Sequence, residues 1–294
     1  MIDLSMGLAH LRVDPSLGGA VLSWHVDGCA VLHPVSDANL RAQGMKPVGA
    51  YPLVPFSNRV GQGRFTFEGR DWQLDNNFGG EPHAIHGNGW ERVWDVVART
   101  DSDVTLQLDH SPPGDPAGQW PFAYRATLTY RLLPEALEVV MTIENRDRCD
   151  QPVGLGFHPF FPRDTGVRVG FRATSVWESG ADNLPSRRLP VSGRWSFDPP
   201  RDVGSDAIDN CYAGWAGEAE IAWPASARRL VISADAPLRH LVLYTPPGRD
   251  YIACEAVSNM NDGFNHMDLA DSGVRVLAPG ERLAATITYR LLPS

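Results

Sequence analysis

Alternation with a period of two constrains this chain more than any other feature. Arg64-Phe65-Thr66-Phe67 alternates polar and apolar side chains, residues 68–71 read as a turn, and Trp72-Gln73-Leu74 returns. Tyr124, Ala126, Leu128, Tyr130 and Leu132 alternate with more polar partners. Pro134-Glu135-Ala136 then turns the chain into Leu137, Val139, Met141 and Ile143. Successive Cβ atoms of a strand point to opposite faces, so this period marks half-buried strands. Further runs occur at 104–108, 230–233, 241–244, 252–255 and 283–291, and 28 Gly and 24 Pro punctuate the intervals. Long capped segments of period 3.6 are missing; single helical turns are expected only at 37–43 and 205–210. Many short strands with little helix predict an all-β fold, a large antiparallel β-sandwich. No linker rich in Ser, Gly or Pro divides the chain, so residues 1–294 are expected to form a single domain. Residues 126–134 echo residues 285–293, which two similar antiparallel strands explain without a duplication.

Composition narrows the partners. A hydrophobic content of 43% supports a sizeable core, and 21% charged residues argues against global disorder. The net charge of -9 and the lack of a Lys/Arg cluster argue against nucleic acid or an anionic membrane as partner. A local Arg pocket for one phosphate stays open. The N-terminus lacks a basic stretch followed by an apolar one, and no run reaches the ~18 apolar residues of a membrane span. Cys29, Cys149, Cys211 and Cys254 are irregularly spaced without Cys-x-x-Cys, as expected of free thiols in a cytoplasmic protein. Oligomeric state is not encoded legibly; a monomer or weak homodimer is expected.

Several residues could carry chemistry. Asn58-Arg59 lies between Pro55 and Gly61, where an amide and a guanidinium offer donors in fixed directions, suited to the oxygens of a polyol. A solvated turn would read the same way. Residues 76–87 form a turn-rich loop with His83 and His86. His158 stands in the apolar context Gly156-Phe157-His158-Pro159-Phe160; it reads as a satisfied core histidine or as a general acid near neutral pH. Asp209 lies among Ile208, Cys211 and Tyr212, and Glu255 interrupts the apolar strand around Ile252. A carboxylate there needs a partner or a function, because burying it unpaired is costly.

The ordered set Asn58-Arg59, Asn76-Asn77 with His86-Gly87, His158, Asp209, and Glu255 with Ser258-Asn259 after it resembles the aldose 1-epimerase (galactose mutarotase) family over residues 51–265. The stretch from Asn58 to Gly63-Arg64-Phe65 and the His-Gly after the Asn-Asn loop are its more specific parts. The resemblance implies a galactose-mutarotase-like sandwich with the sugar in an open cleft. It implies His158 as general acid and Glu255 as general base, with Arg59, His86 and Asp209 on sugar oxygens and Asn58 in support. The implied reaction opens and recloses a hemiacetal ring with no metal, nucleotide or other cofactor. The pair is expected to rest as ionised Glu255 beside protonated His158, each charge favouring the other. Phe157 and Pro159 around the histidine, and Glu81-Pro82 where the family more often has Gly-Pro-Asn, depart from the pattern and bear on which sugar fits.

Three other readings compete. A hexose-6-phosphate 1-epimerase would need basic groups at the cleft, for which Arg59, Arg64, Arg92 and Arg163 are candidates. A cupin-like metalloenzyme would ligate a metal through His83, His86, His158 and Glu255. A non-catalytic carbohydrate-binding protein would need no acid–base pair. Trp90 and Trp215 lie near the motifs and either could stack on a sugar.

Overall fold

The computed structural model describes residues 1–34, 49–112, 114 and 118–293. Among these, two large antiparallel sheets dominate. The larger has eleven strands. Its hydrogen-bonded order is Ile2–Met6, Ala9–Asp14, Ala20–Val26, Ala50–Leu53, Gly156–Pro162, Tyr251–Val257, His240–Thr245, Ile208–Ala213, Ser175–Ser179 and Pro185–Pro190, with Cys29–Ala30 beside the third. The nine-stranded sheet runs Asp95–Arg99, Asp103–His110, Tyr124–Leu133, Ala136–Asn145, Arg282–Pro293, Arg228–Ala234, Glu218–Trp223, Arg168–Phe171 and Phe197–Asp202.

The period-two segments become these strands. The turn at 68–71 is tighter than expected: Glu68 and Gly69, at φ 51° and 73°, make it alone, and Phe65 pairs with Trp72. The two echoing segments flank the same strand, Ala126 pairing with Ile143 and Ala285 with Met141, so both meet one environment.

Packing the two sheets buries their inner faces against each other. Phe157 of the larger sheet lies 6.1 Å from both Tyr130 and Tyr289 of the smaller, and Phe161 packs on Trp223. The Tyr130 hydroxyl donates to the Gly19 carbonyl, so the polar end of a buried ring is satisfied.

Two local expectations come out differently. The helical turn at 205–210 is not formed, because Ile208–Ala213 is a strand held by ladders on both sides. Its alternation of Ile208, Asn210 and Tyr212 with Asp209 and Cys211 suits a sheet with two different faces, and the ladders outweigh local turn preference. The turn expected at 37–43 falls outside the described residues.

Candidate active site

Five adjacent strands of the larger sheet carry the site on one face. Gly156 pairs with Val257 and Phe160 with Ala253, a register that sets His158 across from Glu255. On its other side His158 pairs with Tyr51. Glu255 pairs with Val242, and Asp209 pairs with Tyr244, two residues further along that strand. The period of two therefore aims Tyr51, His158, Phe160, Glu255, Tyr251, Tyr244 and Asp209 outward. Their neighbours Phe157, Cys254, Leu243 and Ile208 point into the core.

A short ribbon completes the cavity. Arg59–Val60 pairs with Ala84–Ile85, which joins the two sequence motifs directly. The His86 N–H donates to the Asn58 carbonyl, and the Asn58 N–H donates to His86 Nδ1 at 3.1 Å. That bond makes Nδ1 the acceptor, so in the neutral ring Nε2 carries the proton and serves as a donor. His86 and Gly87 are both left-handed, at φ 63° and 68°. A Cβ on Gly87 would sit 2.2 Å from the Val54 carbonyl oxygen, which explains the glycine after the histidine. The Asn77 side chain accepts from the Ile85 N–H and donates to the Ile85 and Gly87 carbonyls, replacing a missing strand partner. The Asn259 amide likewise brackets the Ser57 backbone, tying the loop after Glu255 to the loop before Arg59.

The resulting cavity has a volume of about 250 Å³. That lies just below the ~300–1,000 Å³ of drug-sized sites and suits one monosaccharide. On its floor His158 Nε2 lies 3.3 Å from Glu255 Oε1, and both side chains are buried. The His158 ring stacks on Tyr51 at 4.8 Å and 24°, with Phe160 at 4.5 Å and His86 edge-on at 5.4 Å. Glu255 Oε2 makes no hydrogen bond to a described residue. Burial pushes the Glu255 carboxyl well above the usual range; the Asp209 charge adds to this and Arg59 opposes it. This departs from the expected settled carboxylate: burial favours the neutral acid, so the charged form depends on cations beside it. Burial also raises Asp209, against the pull of Arg59.

Arg59 is held between two acids. It donates to Glu81 Oε1 at 3.2 Å and approaches Asp209 Oδ2 at 3.7 Å. All six residues expected at the site, Asn58, Arg59, His86, His158, Asp209 and Glu255, line this one cavity. Sequence reading missed Glu81 as a site residue, and it missed Tyr51, Phe78, Phe160, Tyr244 and Tyr251. Tyr251 carried a usable signal, four residues before Glu255 on the same strand face; Glu81 carried none beyond its departure from pattern.

The competing residues go elsewhere. Arg64 bonds Gln73, Arg92 bonds Gln119, and Arg163 donates to the carbonyls of Pro246, Gly204 and Asp206. Both nitrogens of His83 are used, Nδ1 by the Gln62 N–H and Nε2 on the Asp182 carbonyl, so the four-residue ligand set does not assemble. Among the described residues no three His, Cys, Asp or Glu come together as metal ligands. Trp90 lies beneath the site, donating to the Gly87 carbonyl, and Trp215 is core; neither faces the cavity. All four cysteines are free, and no helix among the described residues is long and apolar enough to cross a membrane.

Known proteins match along nearly the whole chain. The family model described as aldose 1-epimerase matches residues 13–290. The uncharacterized protein YphB of Escherichia coli K12 is 26% identical over 98% of this chain and 97% of its own. A crystal structure from Escherichia coli K12 superposes with a TM-score of 0.89 at 25% identity, covering 99% and 98% of the two chains. Galactose 1-epimerase from Lactobacillus acidophilus NCFM shares the fold, with a TM-score of 0.79 at 18% identity over 99% and 93%.

Proposed function

The chain belongs to the aldose 1-epimerase family, and from that premise we propose that it is a mutarotase, interconverting the α and β anomers of a free aldose. The observation that carries this reading is the buried His158–Glu255 pair on the floor of a monosaccharide-sized cavity. Glu255 takes the proton of the C1 hydroxyl. The bond from C1 to the ring oxygen breaks, its electron pair stays on the ring oxygen, and His158 delivers a proton there. Rotation about C1–C2 and reclosure run the same transfers backwards on the other face.

The electrostatics fit the direction of transfer. The pair starts as carboxylate and imidazolium and ends as acid and neutral imidazole, the state that burial of Glu255 favours. Each positioned proton-transfer group is worth ~10²–10⁴ in rate. The Nε2–H of His86 and the guanidinium of Arg59 are placed to bind sugar oxygens, and Asp209 to accept from a hydroxyl. The tyrosine and phenylalanine rings supply apolar walls.

A free aldose is favoured over a hexose 6-phosphate because Arg59, the one Arg or Lys among the described lining residues, is already paired with two carboxylates. A purely sugar-binding role would leave a buried acid–base pair without purpose. The free thiols suit a cytoplasmic enzyme, and we take it to act as a monomer or weak homodimer. Polarimetry on freshly dissolved α-D-galactose and α-D-glucose, with and without a chelator, tests the reading. Faster equilibration insensitive to the chelator supports it; no acceleration of any aldose rejects it.

A further inference from the structure

Arg59 would be the natural anchor for an anionic sugar, yet its guanidinium is engaged from two sides. Glu81 takes Nη2 at 3.2 Å and lies 3.5 Å from Nε, and Asp209 lies 3.7 Å from Nη1. The Arg59 side chain is only 10% exposed, while those of Glu81 and Asp209, which also line the cavity, are 21% and 30% exposed. Glu255 contributes a third acid to the lining. Two carboxylates thus flank one guanidinium, while Glu255 lies with His158. A second anion entering beside them meets repulsion in a partly desolvated pocket, where charges are weakly screened. The hydroxyls of a neutral sugar can donate to the carboxylates and accept from Arg59 at no such cost.

Glu81 reaches this place from outside the sheet. It closes a turn whose Glu81 N–H donates to the Phe78 carbonyl, on the loop ahead of the His86 ribbon. No strand register demands an acid there; the partner of its carboxylate is Arg59, and both groups line the cavity that a ligand enters.

We propose that Glu81 is a specificity-determining residue of this site: by occupying Arg59 and adding negative charge at the cavity wall, it selects neutral aldoses and rejects sugars bearing a carboxylate or phosphate. This rests on the mutarotase reading for its kinetic arm only. Selectivity here comes from an unfavourable element aimed at the wrong substrate as well as from contacts to the right one.

The test compares wild type, Glu81→Gln and Glu81→Asp on D-galactose and D-glucose against D-galacturonate and D-glucose 6-phosphate. In wild type, kcat/KM for the neutral sugars exceeds that for the anions. In Glu81→Gln the ratio shrinks by about tenfold or more, while Glu81→Asp, which keeps the charge, retains most of it. Added salt narrows the wild-type ratio and affects Glu81→Gln less. A residue that only orders Arg59 would lower turnover of every sugar alike; an unchanged ratio in Glu81→Gln overturns the proposal. Calorimetric titration with D-galactose and D-galacturonate measures the same preference without turnover. Relatively tighter galacturonate binding by Glu81→Gln supports the proposal, and equal relative affinities overturn it. Silence of wild type on all four sugars in the kinetic arm sinks the mutarotase reading alone.

Discussion

His158 and Glu255 face each other at 3.3 Å across a strand pair, and the reaction needs both at once. Removing the C1 proton without protonating the ring oxygen leaves an alkoxide beside a poor leaving group. Protonating the ring oxygen without a base leaves a protonated carbonyl. His158→Asn and Glu255→Gln should therefore each cost ~10²–10⁴ in kcat, or about 3–5 kcal/mol of transition-state stabilisation at 1.36 kcal/mol per decade. The double variant should lose no more than about tenfold beyond the weaker single variant, because groups acting as a unit are not additive. Folding should survive each change. Breaking a buried pair ordinarily costs ~3–5 kcal/mol through the charge left behind. Burial already biases Glu255 toward its neutral acid, so in His158→Asn it takes a proton instead. Saturation-transfer NMR on anomeric protons measures the rates, and circular dichroism confirms folding. Losses that multiply in the double variant would refute a coupled pair, and normal turnover in either single variant would remove that residue from the reaction.

Three further outcomes follow from the same geometry. The folded pKa of Glu255 lies above its unfolded value, so this group's contribution to stability is fully present below about pH 4.5 and is lost as pH rises through the folded value. Glu255→Gln should then unfold at a higher temperature than wild type at pH 7, with the gap closing below about pH 4.5; equal melting curves at both pH values would contradict the burial argument. Gly87→Ala forces a side chain onto φ 68° and against the Val54 carbonyl, and should cost at least ~2 kcal/mol in urea denaturation; an unmoved midpoint would show that the ribbon relaxes freely. Asn77→Ala removes three hydrogen bonds to the backbone around His86 and should lower kcat/KM by about tenfold, mainly through KM; a kcat effect alone would mean that the loop positions the reacting groups instead.

Much of this was legible in the chain, and the reasons differ by residue. The hairpin from Tyr124 to Asn145 and the strand Arg282–Pro293 were readable because one face of each is buried and the other is not, which writes a period of two. Glu255 stood out because a carboxylate interrupts an apolar strand, and His158 because its flanks are apolar. The ordering of the site was harder. That His158 faces Glu255 is fixed by a pairing between strands almost a hundred residues apart, and pairing register leaves no local trace. Residues 205–210 read as a possible single helical turn, while the strand state of Ile208–Ala213 comes from neighbours on both sides. Glu81 looked like a loop residue because its partner, Arg59, is reached only after the 59–60 and 84–85 segments zip together. Arg64 and Arg163 were plausible anion ligands by residue type alone, and only folding shows them spent on Gln73 and on backbone carbonyls.

The side chains that face the cavity and the inward-facing core residues alternate along the same few strands, Phe157 next to His158 and Cys254 next to Glu255. Among the described residues nothing but the ladder separates the two sets, so this sheet-borne half of the site has no melting point of its own, unlike the ribbon that brings Arg59 and His86. A partly unfolded molecule with an intact centre, or an intact molecule with a melted one, would require a sheet to rotate within its own ladder. Loss of the His158–Glu255 pairing on heating and loss of the sandwich should be one event, and any earlier loss of turnover would report the ribbon opening ahead of the sheet.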